Sequence, residues 1–437
     1  MTKGLTMRLI PALIMASFAG VAGASGFALQ NQTGSGNGTA FAGAAAAAED
    51  AGTIYFNPAG MTYLQKGHNI SVGGTLLRRT INFDDAGTVS NSGLAPLHSP
   101  RDDGGDAGGL SLIPFGYWAY SLSPDLWVGV GVSPTFGNKT EYDFEFTGRN
   151  AGYFAEIKQV NINPSIAFKL NDKVSLGAGL NIAHNSTHFK QGVPLAAGPF
   201  PANNFIDIKG DDWAYGYNLG AMFQLSPSTR VGLTYRSEIK FKLEGDYDVA
   251  TAVAAGGNAT ADHKIKATLK TPASASLAVA QQLSDRWELL GDITWTEWSV
   301  VDDVILKIKS SGTSLAKLSY NFKDTWRVGL GANYKYNDQW KFRFGVAHDK
   351  SPVKSAQDRT MTLPDSDRTW LSLGAKYQLS KVSSVDFGYS HIFFKDARTN
   401  RRVTTGFPGA ETLRQTVNGK WDNNTADLLS VQYNHTF

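Results

Sequence analysis

Past residue 24, apolar and polar residues alternate one by one through segment after segment, and this two-residue period limits the chain more than any other feature. Trp326, Val328, Leu330, Ala332, Tyr334 and Tyr336 fall on one face of an extended chain, with Arg327, Gly329, Gly331, Asn333 and Lys335 on the other. The same period runs through Val174-Leu176-Ala178-Leu180-Ile182, through Trp340-Phe342-Phe344-Val346, and through Leu429, Val431, Tyr433 and Phe437 at the end. No uninterrupted apolar stretch there approaches the roughly 20 residues that a membrane helix requires. A helical inner-membrane protein is therefore excluded, while a soluble β-sandwich would share the alternation.

The connections separate the two β readings. From about His68 onward the sequence divides into about fourteen strand-like segments whose connections alternate between short and long. The short ones carry turn residues: Ser123-Pro124-Asp125, Asn171-Asp172, Ser226-Pro227-Ser228, Ser284-Asp285, Asn337-Asp338 and Ser380-Lys381. The long ones are polar and glycine-rich and are expected near 84–109, 138–155, 191–210, 246–262, 299–320, 348–368 and 396–423. Tight turns on one side and long loops on the other are the layout of an all-β, 14-stranded antiparallel transmembrane barrel. Such a barrel must close, because in hydrocarbon no backbone N–H or C=O along a strand edge can go unpaired. Both chain ends then lie on the periplasmic side. Trp127, Trp287, Trp295, Trp298, Trp340 and Trp370 stand near strand ends and fit either interfacial girdles or ordinary barrel packing. Phe437, an aromatic terminus on an alternating strand, fits a membrane-insertion signal read by the barrel-assembly machinery.

The first 66 residues differ. Lys3 and Arg8 flank the start of an apolar run, Leu9 to Ala22, that ends in Ala22-Gly23-Ala24, so residues 1–24 read as a signal peptide. Its removal takes the formal charge from +3 to +1, which points to no nucleic-acid partner. The absence of cysteine rules out disulfides and thiolate metal sites. Residues 25–66 have no strand period. They hold Gly34-Ser35-Gly36-Asn37-Gly38, an alanine run from Ala44 to Ala48, and the turn at Asn57-Pro58. Small residues and short helices suit a plug inside the barrel of residues 67–437, with a periplasmic tail as the alternative.

Several short motifs resemble the FadL family of outer-membrane long-chain fatty acid transporters. They are Gly26-Phe27-Ala28-Leu29-Gln30, Glu49-Asp50-Ala51-Gly52, Asn57-Pro58-Ala59, Tyr235-Arg236-Ser237-Glu238, Trp295-Thr296-Glu297-Trp298-Ser299, Phe322-Lys323-Asp324-Thr325-Trp326-Arg327 and Leu363-Pro364-Asp365-Ser366-Asp367-Arg368. The resemblance covers essentially the whole mature chain. It implies passive uptake in the outer membrane: capture of a long-chain fatty acid among the outer loops, transfer to an internal pocket, and lateral exit into membrane lipid through a gap made by a kinked third strand. Aromatic or alkane hydrocarbons, taken by other members of that family, are the alternative cargo.

By the same resemblance Ser25, Gly26 and Phe27 bind ligand and gate it, while Asn57, Pro58 and Ala59 hold the plug, or hatch, against the wall. Lys323 and Lys190 are candidates for the ligand carboxylate through charge-assisted hydrogen bonds, with an internally paired or solvated charge as the other reading of each. Lys190 matches the family pattern only after a shift in alignment. In the third strand, expected from Leu126 to about Phe136, Pro134 removes a ladder donor and Gly137 follows, which either breaks the pairing there or marks the strand's end. An enzyme is not expected. The eight histidines are scattered, and His184 and His188, on one face of a strand end, have no third ligand near them in sequence. A general diffusion porin would leave its lumen open rather than fill it with a plug. No cofactor, no metal and no oligomer is called for, so the chain is expected to act as a monomer.

Overall fold

The computed structural model describes residues 26–90, 103–192, 205–253, 257–405 and 411–437. The expected signal peptide, and with it Ser25, lies outside them.

The alternating segments form a closed barrel of fourteen antiparallel strands. In chain order they are β1 His68–Thr80, β2 Gly109–Ser121, β3 Leu126–Glu141, β4 Phe154–Asn171, β5 Val174–Gly192 and β6 Phe205–Ser226. Four strands follow in two pieces each: β7 Thr229–Arg236 and Ile239–Val253, β8 Gly257–Thr271 and Ser274–Gln282, β9 Trp287–Thr296 and Asp303–Ile308, and β10 Ser314–Ser319 and Thr325–Lys335. The circuit ends with β11 Trp340–Asp349, β12 Arg368–Gln378, β13 Ser383–Phe394 and β14 Thr425–Thr436. Each strand pairs with the next, and β14 returns to β1 over Asn69↔Thr436 to Thr80↔Thr425, which removes the sheet edge. Alternation does what the period requires of a wall between lipid and a packed interior: Trp326, Val328 and Leu330 point outward and are exposed, while Arg327 between them is buried.

Six short turns lie at one end, at 122–125, 172–173, 227–228, 283–286, 336–339 and 379–382, and the last strand also ends there. At the other end the expected loops 246–262 and 299–320 are largely strand instead, the strand pieces Ile239–Val253, Gly257–Thr271, Asp303–Ile308 and Ser314–Ser319 running through them, with 309–313 connecting the last two. Their alternation continues above the membrane level, with Tyr247, Ile265 and Leu306 packed together on the lumen side. Between β13 and β14 a hairpin of Ala397–Thr405 and Thr412–Trp421 is extended by Asp84–Asp85 and Val89–Ser90 into a small second sheet over the mouth. The tryptophans divide. Trp287 is exposed on the outside, but Trp127, Trp298 and Trp370 are buried inside, because at those positions the strand or turn presents its lumen side.

Residues 26–66 occupy the lumen. Three single-turn helices, α1 Gly34–Asn37, α2 Ala44–Ala47 and α3 Thr53–Phe56, precede a 3-10 turn at Pro58–Tyr63. Thr33 caps α1 by accepting from the Gly36 N–H (3.1 Å), and Ala48 ends α2 in a left-handed conformation (φ 47°). The alanine run makes only one turn of helix, since turns this short are held by what surrounds them and not by propensity. Glycines of the wall explain how the segment fits. A Cβ at Gly345 would come within 2.0 Å of the Thr39 backbone, and one at Gly220 within 2.0 Å of the Asn57 side chain.

Candidate ligand site at the third strand

The third strand is where the wall is interrupted. On one side β3 pairs with β4 along its whole length, from Leu126↔Phe168 to Glu141↔Phe154, with Thr135 bulged out between Pro134 and Phe136. On the other side it pairs with β2 only from Ser121↔Trp127 to Gly116↔Val132. Residues 109–115 of β2 keep β1 as partner and have no strand partner on the β3 side among the described residues. Pro134 therefore stands not at the end of β3, as the expected boundary near Phe136 would have it, but in the middle, and Gly137 lies within the strand. The interruption closes again at the loop end, where the Glu141 N–H donates to Ala107 O (3.1 Å).

The backbone groups freed by that interruption are taken by the start of the described chain. The Leu29 N–H donates to Thr135 O (2.9 Å), the Gly137 N–H to Phe27 O (2.7 Å), and Ala28 bridges Phe136. Gln32 reinforces the contact, its Nε2 donating to Pro134 O at 2.6 Å. Sequence reasoning placed Gly26, Phe27, Pro134 and Gly137 in separate segments, and the structure brings them together.

Around this junction sits an aromatic cluster. The Phe27 ring lies 5.7 Å from Phe136 and 5.0 Å from Trp298, whose far side meets Phe322 at 5.9 Å. Ile157, Val301, Val353 and Leu363 complete it. Gly26 takes a left-handed φ of 63°, and a Cβ there would lie 2.6 Å from the Trp298 ring, so the approach requires glycine. Asp365, in the loop after β11, accepts from the Gly26 backbone N–H and from Ser351 Oγ (2.6 Å) and pairs with Arg368. Burial pushes the Asp365 carboxyl above its usual value although Arg368 opposes the shift. A cavity of about 40 Å³ opens between Gly26, Arg79, Leu363, Asp365 and Arg368, and another of about 100 Å³ lies towards Leu29, Phe41, Phe56, Phe136 and Arg327. Trp298, Phe136 and Asp365 were not singled out for the site from sequence. The only signal for two of them was their place in motifs whose roles could not be read from a strand pattern.

The two lysines part company. Lys323 follows Phe322 of the aromatic cluster, its backbone N–H bound to Pro352 O (2.9 Å) and its side chain exposed. It forms no ion pair among the described residues. Lys190 stands elsewhere, on the outward side of β5. Its ammonium lies 3.7 Å from Asp207 and over the Phe154 ring, while its neighbour Phe189 faces the lumen cluster. The structure does not bring Lys190 to Lys323 or to Phe27, and alternation is the reason: its parity points it away from the lumen.

Below the junction the hatch is fastened to the wall. Asn57 accepts from the Ala59 N–H (3.1 Å) and donates to Ala45 O (2.8 Å), Ala221 O (3.1 Å) and Leu233 O (3.4 Å), joining two hatch turns to β6 and β7. Pro58 and Ala59 lie so close to β5 that a Cβ at Gly177 would meet the Ala59 nitrogen at 2.3 Å. Buried ion pairs do the rest. Arg343 of β11 joins Glu49 of the hatch to Asp386 of β13 (2.6 Å). Arg327 pairs with Asp292 (3.3 Å) and Asp349 (3.0 Å) and donates to Ala40 O. Burial alone would raise the Glu49 carboxyl, but Arg343, Lys341 and Lys376 hold it well below its usual value. Its neighbour Asp50 is raised, by burial and by the Asp386 charge.

A larger cavity of about 530 Å³ lies at the loop end, lined among others by Ile206, Ile208, Tyr247, Leu318, Arg401 and Arg402. Arg401 donates to Ser319 O (3.0 Å) and Gln357 O (3.2 Å) and has no carboxylate partner among the described residues. At the opposite end the Phe437 N–H donates to His68 O (2.9 Å), leaving its ring exposed beside His68 and His435. His184 and His188 face separate carboxylates, Asp211 at 3.3 Å and Asp207 at 2.9 Å.

Residues 15–437 match the model of the family described as outer membrane protein transport protein (OMPP1/FadL/TodX). A protein of Neisseria meningitidis serogroup B (strain ATCC BAA-335 / MC58), named as an outer membrane protein, is 32% identical over 459 residues, covering 95% of each chain. The long-chain fatty acid transport protein of Escherichia coli (strain K12) is 28% identical over 412 residues, 86% of this chain and 89% of that one. Among solved structures, a FadL homologue of Pseudomonas aeruginosa aligns with a TM-score of 0.83 at 25% identity, over 94% of this chain and 100% of its own. The P. putida toluene transporter TodX aligns at 0.68 with 18% identity, over 94% and 99%, a likeness of fold alone.

Proposed function

Because the chain belongs to the OMPP1/FadL/TodX family of outer membrane transport proteins, we propose that it takes up long-chain fatty acids passively and releases them sideways into the outer membrane. The observation that carries this reading is the coincidence of three features at one place: β2 residues 109–115 with no strand partner on the β3 side among the described residues, residues 27–29 bound to the β3 backbone there, and the aromatic cluster of Phe27, Phe136, Trp298 and Phe322. A ligand entering that cluster must displace Phe27. Moving Phe27 also breaks its hydrogen bond to Gly137 and loosens the segment beside the interruption at Pro134, so binding and opening are coupled through one strand of chain.

Capture begins in the loop-end cavity, where Arg401 and Arg402 offer cations beside Ile206, Ile208 and Leu318. An anionic head on an apolar chain suits such a lining, and the chain then moves inward to the cluster, where Lys323 takes the carboxylate. Ser25 would adjoin Gly26 and Phe27 as the first residue of the mature protein after removal of residues 1–24. Each methylene kept from water is worth about 0.8 kcal/mol, so a chain of a dozen or more resists release into the aqueous periplasm, and lipid is the favourable exit. Asn57, Pro58 and Ala59 keep the hatch seated meanwhile, which leaves no straight aqueous path. The exposed Phe437 ring at the end of β14 is the group that barrel-assembly machinery would read during insertion.

The test compares oleate, its uncharged methyl ester and toluene on the detergent-folded protein, in wild type and in Lys323→Ala. Oleate is expected to bind more tightly than the other two and to lose roughly tenfold on esterification or on loss of Lys323, the order of one charge-assisted hydrogen bond. Toluene binding as well as oleate, insensitive to Lys323, would transfer the function to hydrocarbon uptake and remove Lys323 from the site.

A further inference from the structure

The outward wall changes character at one level on the β6–β9 side. Leu219, Tyr217, Tyr215 and Trp213 succeed one another outward along β6, all exposed, and such aromatics mark a membrane–water interface. Beyond them, on the long-loop side that faces out of the cell, β7 carries Lys240 and Lys242, β8 carries Lys264, Lys266 and Lys270, and β9 leads through Lys307 to Lys309. Phe241, Leu243, Ile265 and Leu306, which alternate with these lysines, are buried on the lumen side, so the lysines point away from it.

Three of these seven lysines are in ion pairs; of the other carboxylates on this face, Asp211, opposite Glu244, meets His184, and Asp248 and Asp262 oppose one another one step farther out. Asp246 pairs with Lys264, Glu244 with Lys309 and Glu238 with Lys270 (3.0 Å). Lys240, Lys242, Lys266 and Lys307 are in no ion pair among the described residues. Glu244 stands opposite Lys266 in the ladder but is engaged by Lys309, and Asp212 accepts from the backbone N–H of Lys242 (2.6 Å). Two of the cross-strand pairs are lysine against lysine, Lys240↔Lys270 and Lys266↔Lys307. Like charges directly opposite one another weaken a ladder, and nothing in the barrel's closure requires them. Polar residues of either sign would serve a loop-side wall equally well.

We propose that this face binds a phosphorylated glycolipid of the outer leaflet, its phosphates among Lys240, Lys242, Lys266 and Lys307 and its acyl chains along Trp213, Tyr215 and the apolar wall below. Compact ammonium groups suit phosphate as point charges. The occupant must be a lipid because the cationic patch adjoins an exposed aromatic and leucine surface, which a soluble anion would leave unused. This site is separate from the proposed fatty acid path, which lies on the other side of the wall.

The experiment is native mass spectrometry of the full chain in detergent, titrated with bis-phosphorylated lipid A, with dephosphorylated lipid A, and with inorganic phosphate as competitor. Wild type should retain bis-phosphorylated lipid A at least tenfold more tightly than the variant K240Q/K242Q/K266Q/K307Q, since each lysine near an anionic lipid surface contributes about a fivefold factor. Dephosphorylated lipid A should bind weakly to both. A control, K264Q/K309Q, removes lysines that already have carboxylate partners and should lose much less. Equal retention by the fourfold variant, an equal loss in the control, or displacement of lipid A by inorganic phosphate would each overturn the proposal. Heat-modifiable gel mobility and unchanged oleate binding establish that the variant is folded, and K266Q/K307Q alone, expected to weaken binding several-fold, replaces it if it is not.

Discussion

Glu49 and Asp50 are adjacent in the hatch and titrate in opposite directions, which lets their roles be separated. Glu49 is held below its usual value by Arg343, Lys341 and Lys376 against the push of burial. A carboxylate with a depressed folded-state pKa contributes stability that is present above its unfolded pKa of about 4.3 and is lost as pH falls through the folded value. Asp50 is raised by burial, so its contribution has the other sign: ionising it costs the folded state, and that cost is present at neutral pH. Glu49→Gln should therefore destabilise the detergent-folded protein at pH 7 by about 3–5 kcal/mol in urea unfolding, the range for breaking a buried pair, and should flatten the acid limb of its stability profile. Asp50→Asn, which can still accept from the Gly52 N–H (2.8 Å in the wild type), should be neutral or stabilising at pH 7. Equal losses for the two would show that the pair acts through packing alone. Both residues were visible in sequence as a motif, but their opposite behaviour depends on which wall residues face them.

β3 is the element on which the proposed exit depends. Thr135 is the extra residue of its bulge, and the pairing with β2 stops at Val132, three residues before it. Deleting Thr135 restores a continuous period, and a straight β3 can extend its ladder along residues 109–115 of β2. The expected outcome is a barrel that binds oleate at the outer cavity yet loses most of its uptake into whole cells. Uptake at the wild-type rate would place the exit elsewhere. Proline in a strand signalled from the sequence alone either a break in pairing or the strand's end, and not which edge would open. That followed from the pairing of β2 with β1 and from residues 27–29, which fill the gap, neither of which is local.

For the whole molecule, the balance lies between a fourteen-strand lumen and the forty-odd residues that fill it. A barrel of this size has room for a channel, and here Arg343–Glu49, Arg327–Ala40 and the bonds of Asn57 hold the hatch across it. Removing residues 26–66 should convert a protein of low conductance in planar bilayers into an open pore, with steady single-channel steps. If the intact protein already conducts as the deletion does, the hatch is not the barrier.

Strand number, the side of the tight turns and the filled lumen were all legible in the sequence, because a two-residue period and turn chemistry are local and a membrane enforces closure on any strand set that obeys them. The ends of β7 to β10 were not, since strand pairing can continue through polar and alanine-rich residues once a neighbour supplies the ladder. The site itself belonged to tertiary structure. Gly26, Phe136, Trp298, Phe322 and Asp365 are spread over more than three hundred residues, and the side of the wall taken by Trp298 and by Lys190, open in the sequence, was decided only in the fold. Parity along a strand is fixed by sequence only until a bulge or a turn resets it, and contact across a lumen is fixed only when the barrel closes.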